Sequence, residues 1–149
     1  IVKKNSEINL NILGEGEEYE KLKKYIKKNN LEKNIFLKGY QEKIYEYLSL
    51  SDAFILSSLW EDPGFVLIEA AYANIPIISS DCRNGPIEIL DNGKNGFLYK
   101  SNDIKEFIKT FEIFKNSNPS SIYEKTINAK KMSRNYTLYN HYKNMKQIL

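Results

Sequence analysis

The sequence predicts an α/β fold, a Rossmann-like doubly wound parallel sheet with helices on both faces. Two observations carry this expectation. Short apolar segments of strand length alternate with segments of helical periodicity between residues 8 and 116, and the connections between them are only a few residues long. Strands joined through helices over short loops imply right-handed crossovers and parallel pairing. With 149 residues, 42% of them hydrophobic, the chain is large enough for one such domain with a substantial core.

The elements follow in order. "IVKKN" at residues 1–5 reads as the end of a helix whose strand would precede it, as in a sequence cut from a longer one. "INLNIL" alternates apolar and polar residues and ends at Gly14, a strand followed by a turn. In "EGEEYEKLKKYIKKNN", Tyr19, Leu22 and Ile26 recur at helical spacing, with acids early and lysines late, as the helix dipole prefers. "NIFLKG" is a short strand ending in Gly39, "EKIYEYLSLSD" an amphipathic helix, and "AFILSS" a nearly continuous apolar strand of the kind buried on both faces. "FVLIEAAYAN" is a helix, "IPIISSD" a strand, "GPIEIL" a short helix stopped by Asn92-Gly93, and "GFLYK" a strand. "DIKEFIKTFEIFKN" closes the domain, taken as 1–116, with Asp103 as N-cap. Residues 117–149 are expected to form a polar helical extension with Ile122, Tyr123, Ile127, Met132, Tyr139, Tyr142, Met145 and Leu149 as scattered apolar points. It would pack on the domain edge or on a part of the protein outside this sequence.

Composition excludes several classes. A net charge of +3 with both signs interspersed does not point to a nucleic-acid partner. Cys82 is the one cysteine, so there is no disulfide framework or cysteine metal site, and a reducing compartment fits best. No stretch approaches the roughly 18 to 20 consecutive apolar residues of a bilayer span, and no signal peptide is seen. The expected location is cytoplasmic, with peripheral association at the inner face of the membrane left open for a wider protein.

Ligands of doubly wound sheets sit beyond the carboxyl ends of the strands, which directs attention to residues 14–16, 39–43, 58–64 and 80–86. In "WEDPGFVLIEAAY", Asp62 before Pro63 is expected to cap a helix whose first residue is Pro63. The amides of Gly64, Phe65 and Val66 would then be unpaired at the positive end of the helix, and Gly64 would let a ligand approach the backbone. Glu69 would stand about 9 Å along the helix from Pro63, with Glu61 on the loop side. Carboxylates accept hydrogen bonds, and vicinal hydroxyls offer pairs of donors. A sugar–diphosphate–ribose ligand matches this: phosphates on the helix start, ribose on Glu69, transferred sugar on Glu61. The alternative is a structural carboxylate satisfied by an amide or a lysine, since leaving one buried and unpaired costs several kcal/mol.

The stretch E-D-P-G-F-V-L-I-E, Glu61 to Glu69, resembles the E-x7-E motif of retaining GT-B glycosyltransferases of family 4, the glycosyl transferases group 1. "ILGEGEE", "IFLKGY", "YLSLSDAFILSS", "EAAYANIPIISSD", "GPIEIL" and "NGFLY" agree with that family in order and spacing over residues 8 to about 108. The resemblance implies the C-terminal, nucleotide-sugar donor-binding domain of such an enzyme. Glu69 would hold the ribose hydroxyls. Glu61 would hold those of the transferred sugar, which makes it the catalytic-site residue of this chain without being a nucleophile. Pro63, Gly64, Phe65 and Val66 would cradle diphosphate and sugar, Gly14 and Gly16 would contribute to the donor site from the first strand's turn, and Tyr40 and Gln41 would lie along the base. Read alone, Gly14-Glu15-Gly16 is a tight strand-to-helix turn, and Tyr40 can equally be an aromatic packed at a strand end. Cys82, Arg83 and Asn84 either line the sugar pocket or form a plain loop.

The implied reaction is transfer from UDP-hexose or UDP-N-acetylhexosamine, without metal or cofactor, to a glycan or lipid-linked acceptor in bacterial surface polysaccharide or oligosaccharide synthesis. Two departures bear on this. The family's diphosphate-binding Arg and Lys would precede Ile1, and the acceptor domain with its histidine is absent, so this stretch alone is expected to be inactive. His141 reads as a surface residue. The rival readings are a GT-B sugar-nucleotide epimerase, for which no acid/base residues are found, and a non-catalytic nucleotide-binding or regulatory module, for which Asp52 and Asp81 form no acidic cluster.

Overall fold

The structure, a computed structural model, describes residues 1–146 and divides into two compact units, Ile1–Ile44 and Tyr45 onward. The first is a βαβ unit: β1 (Leu10–Leu13), α1 (Tyr19–Lys28) and β2 (Ile35–Gly39), with β1 and β2 parallel and Leu10 opposite Ile35. "IVKKN" forms a single 3-10 turn at Val2–Lys4. The apolar stripe of α1 buries Ile26 and leaves the lysines in water. The Asn34 amide donates to the carbonyls of Ser6 (2.8 Å) and Ile8 (3.0 Å), pinning the chain as it enters β1.

The second unit follows α2 (Ile44–Ser49) with a parallel sheet of order β3 (Phe54–Leu56), β4 (Ile77–Ser80), β5 (Phe97–Tyr99). Its helices are α3 (Phe65–Tyr72), α4 (Pro86–Ile89), α5 (Ile104–Asn116), α6 (Pro119–Ser133) and α7 (Leu138–Met145). β4 is central, is buried along its whole length, and contacts both α3 and α5. Ile78 joins Phe97 and Tyr99 in a core against Phe107, Phe111 and Phe114 of α5, where the Phe97–Phe114 and Tyr99–Phe107 rings meet edge to face at 5.4 and 5.1 Å. Asp103 caps α5, accepting from the amides of Lys105 (3.0 Å) and Glu106 (3.1 Å).

Two expectations are corrected. β3 is not buried on both faces: Phe54 and Ile55 are half-buried, because β3 lies at the edge of its three-stranded sheet and the fully covered strand is the central β4. α3 begins at Phe65 rather than Pro63, and Asp62 does not cap it. Gly64 is the N-cap, and its left-handed backbone (φ 85°, ψ 44°) turns the chain between Pro63 and the helix. In the C-terminal segment α6 lies against α3 and buries Thr126, Ala129 and Ser133; of the scattered apolar points, Ile122 packs on the core of Ile78, Phe97 and Tyr99, while Tyr123, Tyr139, Tyr142 and Met145 are exposed. Leu149 lies outside the described residues.

Candidate functional site

The chain leaves β3 and β4 at their carboxyl ends in two loops that run side by side. Trp60 and Arg83 form a parallel bridge beyond the strands, and the Glu61 amide donates to the Arg83 carbonyl at 3.1 Å. Beneath them, the Ser80 hydroxyl donates to the Ser58 carbonyl (2.7 Å) and the Tyr99 hydroxyl to that of Leu56 (3.0 Å). Gly85 seals the pair: a Cβ built there would fall 2.0 Å from the Pro63 carbonyl oxygen, so only glycine lets the two backbones approach so closely. The peptide bond between Asp62 and Pro63 is cis.

This clamp holds Glu61 ahead of α3. Among the described residues the amides of Phe65 and Val66 have no acceptor, whereas that of Leu67 bonds to the Gly64 carbonyl at 2.9 Å. Two N–H groups therefore stand free at the positive end of the helix. Glu69 lies four residues after Phe65, about 6 Å along the axis and on the same face, closer to the helix start than the sequence implied. Glu61 and Glu69 are both half-buried, and neither carboxylate has a hydrogen-bond or ion-pair partner among the described residues. Free amides between two uncommitted carboxylates can take an anion in the middle and hydroxyl donors on either side.

In the first unit the loops after β1 and β2 meet: the Gly14 amide donates to the Gly39 carbonyl at 2.7 Å, and the Tyr40 amide to Glu15 Oε1 at 3.4 Å. Gly14 and Gly16 are exposed. The Tyr40 ring is 69% exposed, so packing does not consume it, while the Gln41 side chain turns back to the Lys38 carbonyl at 2.6 Å.

Other candidates have structural work. Cys82 is buried, and Asp81 accepts the Ser101 amide at 2.6 Å, a role in the fold that leaves no acidic pocket around it. Arg83 and Asn84 are exposed on the clamped loop. No group of three or more His, Cys, Asp and Glu is gathered among the described residues, and no helix among them is long and apolar enough to cross a membrane.

Sequence reasoning passed over two features. One is Gly85, which the dipeptide Asn84-Gly85 before Pro86 could have signalled as a tight turn. The other is a cleft of about 340 Å³ between the start of α3, at Pro63 and Phe65, and residues 135–144, including His141 and Asn144. At its rim the Tyr136 hydroxyl donates to Glu88 Oε1 at 3.2 Å. Burial and then the Glu88 carboxylate hold that hydroxyl above its usual pKa.

The family model of the glycosyl transferases group 1 matches residues 1–135. A poly(ribitol-phosphate) alpha-N-acetylglucosaminyltransferase of Staphylococcus aureus is 33% identical over 106 residues, covering 71% of this chain and 22% of that protein. A lipopolysaccharide 1,6-galactosyltransferase of Escherichia coli is 34% identical over 103 residues, 66% of this chain and 29% of its own length. A solved S. aureus TarM mutant in complex with Fondaparinux, alpha-GlcNAc-glycerol and UDP superposes with a TM-score of 0.78 at 30% identity, covering 88% of this chain and 26% of that one. The chain thus spans less than a third of the length of these three proteins. With its parallel sheets and helices matched over nearly all their length, the chain belongs to the glycosyl transferases group 1 family of GT-B glycosyltransferases.

Proposed function

We propose that the chain is the nucleotide-sugar donor-binding domain of a retaining glycosyltransferase that builds a bacterial surface polysaccharide or oligosaccharide. The observation that carries this reading is the pair of free amides at the start of α3 set between the unpartnered carboxylates of Glu61 and Glu69. The diphosphate of the donor takes the amides of Phe65 and Val66, Glu69 accepts the ribose hydroxyls, and Glu61 accepts those of the transferred sugar. Gly64, buried and left-handed, turns the chain so that the amides after it begin the helix, with Pro63 beside it. Gly14, Gly16, Tyr40 and Gln41 supply the further donor contacts that the family resemblance gives to the loops after β1 and β2.

In the reaction the bond between the anomeric carbon and the leaving phosphate oxygen breaks. The electron pair goes to the leaving diphosphate oxygen, and the acceptor hydroxyl oxygen forms the new bond with the configuration retained as its proton passes to that diphosphate. The helix amides stabilise the charge growing on the leaving group, and the carboxylates hold the sugar in register with it. No metal, cofactor or nucleic acid is invoked. UDP as the donor's nucleotide is supported by the UDP complex of the TarM mutant, and a glycan or lipid-linked acceptor by relatives such as an E. coli galactosyltransferase acting on an N-acetylglucosamine-diphosphoundecaprenol. Nucleotide-sugars set the reaction in the cytoplasm, and such an acceptor would bring the whole protein to the inner face of the membrane. Transfer requires the remainder of that longer protein, and the 149 residues alone bind donor without transferring it.

The test is sugar transfer by the full-length enzyme carrying Glu61→Gln. Hydrogen bonds to a charged group contribute about 1.5–3 kcal/mol, so kcat/KM should fall about 10- to 150-fold. Unchanged transfer would remove Glu61 from the reaction.

A further inference from the structure

We infer that Glu15 selects the nucleobase of the donor: it admits uracil and guanine, which carry a ring N–H at the pairing edge, and rejects cytosine and adenine, which carry a ring nitrogen lone pair there. The inference rests on the donor-site reading above, and the residues it uses lie within the first unit. Glu15 stands in the turn after β1, and its side chain crosses to the turn after β2. Its Oε1 accepts the Tyr40 amide at a long 3.4 Å and lies 3.5 Å from where a Cβ at Gly39 would stand. The Gly14 amide donates to the Gly39 carbonyl at 2.7 Å, so the turns that carry the carboxylate and the Tyr40 ring are tied backbone to backbone. Cβ atoms built at Gly14 and Gly16 would meet nothing within 4 Å, which leaves the side of the first turn open.

Two groups at this junction are uncommitted. Glu15 is exposed and has no cation partner among the described residues: Glu18 and Glu20 take Lys21 and Lys23 on α1, and Lys38, near the end of β2, holds its ammonium over the Phe36 ring at 5.1 Å. The Tyr40 ring is 69% exposed. A flat aromatic face beside a carboxylate matches a nucleobase, whose own face stacks on an aromatic side chain and whose edge makes hydrogen bonds.

The sign of the edge decides which base. An ionised carboxylate accepts hydrogen bonds and never donates one. Uracil offers its N3–H, and guanine its N1–H with an amine beside it. Cytosine and adenine have amines that can donate, but the ring lone pair then faces the other carboxylate oxygen. Stacking on Tyr40 does not discriminate, because every base has a π face. The choice therefore falls to Glu15. At an exposed site, a bond to a charged group sits at the lower end of its range, about 10-fold in affinity.

Saturation-transfer titrations of the chain with UDP, GDP, CDP and ADP test this. The wild-type chain is expected to bind UDP and GDP about 10-fold more tightly than CDP and ADP. Glu15→Gln, whose amide donates as well as accepts, is expected to close that gap by losing UDP and GDP affinity and gaining CDP and ADP. Tyr40→Ala should weaken all four and leave the gap in place. Equal binding of all four by the wild type, or a gap that Glu15→Gln leaves intact, overturns the inference while the donor site stands. A gap that closes in Glu15→Gln while Glu69→Ala leaves UDP binding undiminished keeps Glu15 as the base selector and removes the ribose assignment alone. Failure of all four to bind the wild type overturns the donor-site reading and this inference with it.

Discussion

Gly85 and Pro63 touch backbone to backbone, and the position of Glu61 depends on that contact. Adding one methyl group at Gly85 would place carbon 2.0 Å from the Pro63 oxygen at φ +121°, a conformation that side chains rarely adopt, with no flexible neighbour to move aside. Overpacking and backbone strain each cost about 1–3 kcal/mol, so Gly85→Ala is expected to lose about 3 kcal/mol or more, read as a lower urea midpoint. Tyr99 bears on pH. Burial, and secondarily Cys82, raise its pKa above the model-peptide 10.0, so the folded state keeps a proton that the unfolded state releases. Stability is therefore flat below about pH 10 on this account and falls as pH rises beyond it. Tyr99→Phe should flatten that alkaline decline in urea titrations at stepped pH, at a cost near 1 kcal/mol for the lost bond to Leu56.

At the scale of elements, α5 shows what a sequence announces and α6 what it conceals. Asp103 is a legible cap, and Asp103→Ala should cost about 1 kcal/mol in urea denaturation. α6 was expected to be polar with scattered apolar points, of which Ile122 does pack on the core, but its fully buried positions are small, Thr126, Ala129 and Ser133, in a helix that lies against α3. Small residues carry little hydrophobic signal, and their value lies in close approach, which appears only once both helices are in place. Ala129→Leu should therefore overpack that contact and lose about 1–3 kcal/mol, although a hydropathy profile would read it as an improvement. The opening of α3 was misjudged for a related reason: Asp-Pro is a sound local start signal, but the left-handed Gly64 and the contact with Gly85 set the boundary two residues later. The correction shortens the step from the helix start to Glu69 to one turn and keeps the amides free.

Across the whole molecule, the alternation of strands and helices was readable because each has its own period and each strand ends in a turn residue. Burial was less readable: "AFILSS" looks more buried than "IISS", yet position in the sheet reverses the order, because β4 is flanked on both sides and β3 on one within that sheet. The carboxylates were legible as an anomaly in an apolar run, whereas the cleft was not, since its walls lie some seventy residues apart in sequence. Charge is divided as well. The first 44 residues hold ten lysines against seven acids and carry the whole net +3, which leaves the unit bearing Glu61 and Glu69 neutral overall. On the proposed reading, donor binding there depends on local groups rather than on a general attraction for phosphate.

Ligand-observed NMR of the chain with UDP and GDP, repeated with Glu69→Ala, tests that claim most directly. The account predicts saturation of the ribose and uracil protons of UDP that disappears when Glu69 is truncated, with the protein's amide spectrum otherwise preserved. UDP binding undiminished in the folded Glu69→Ala protein would contradict it.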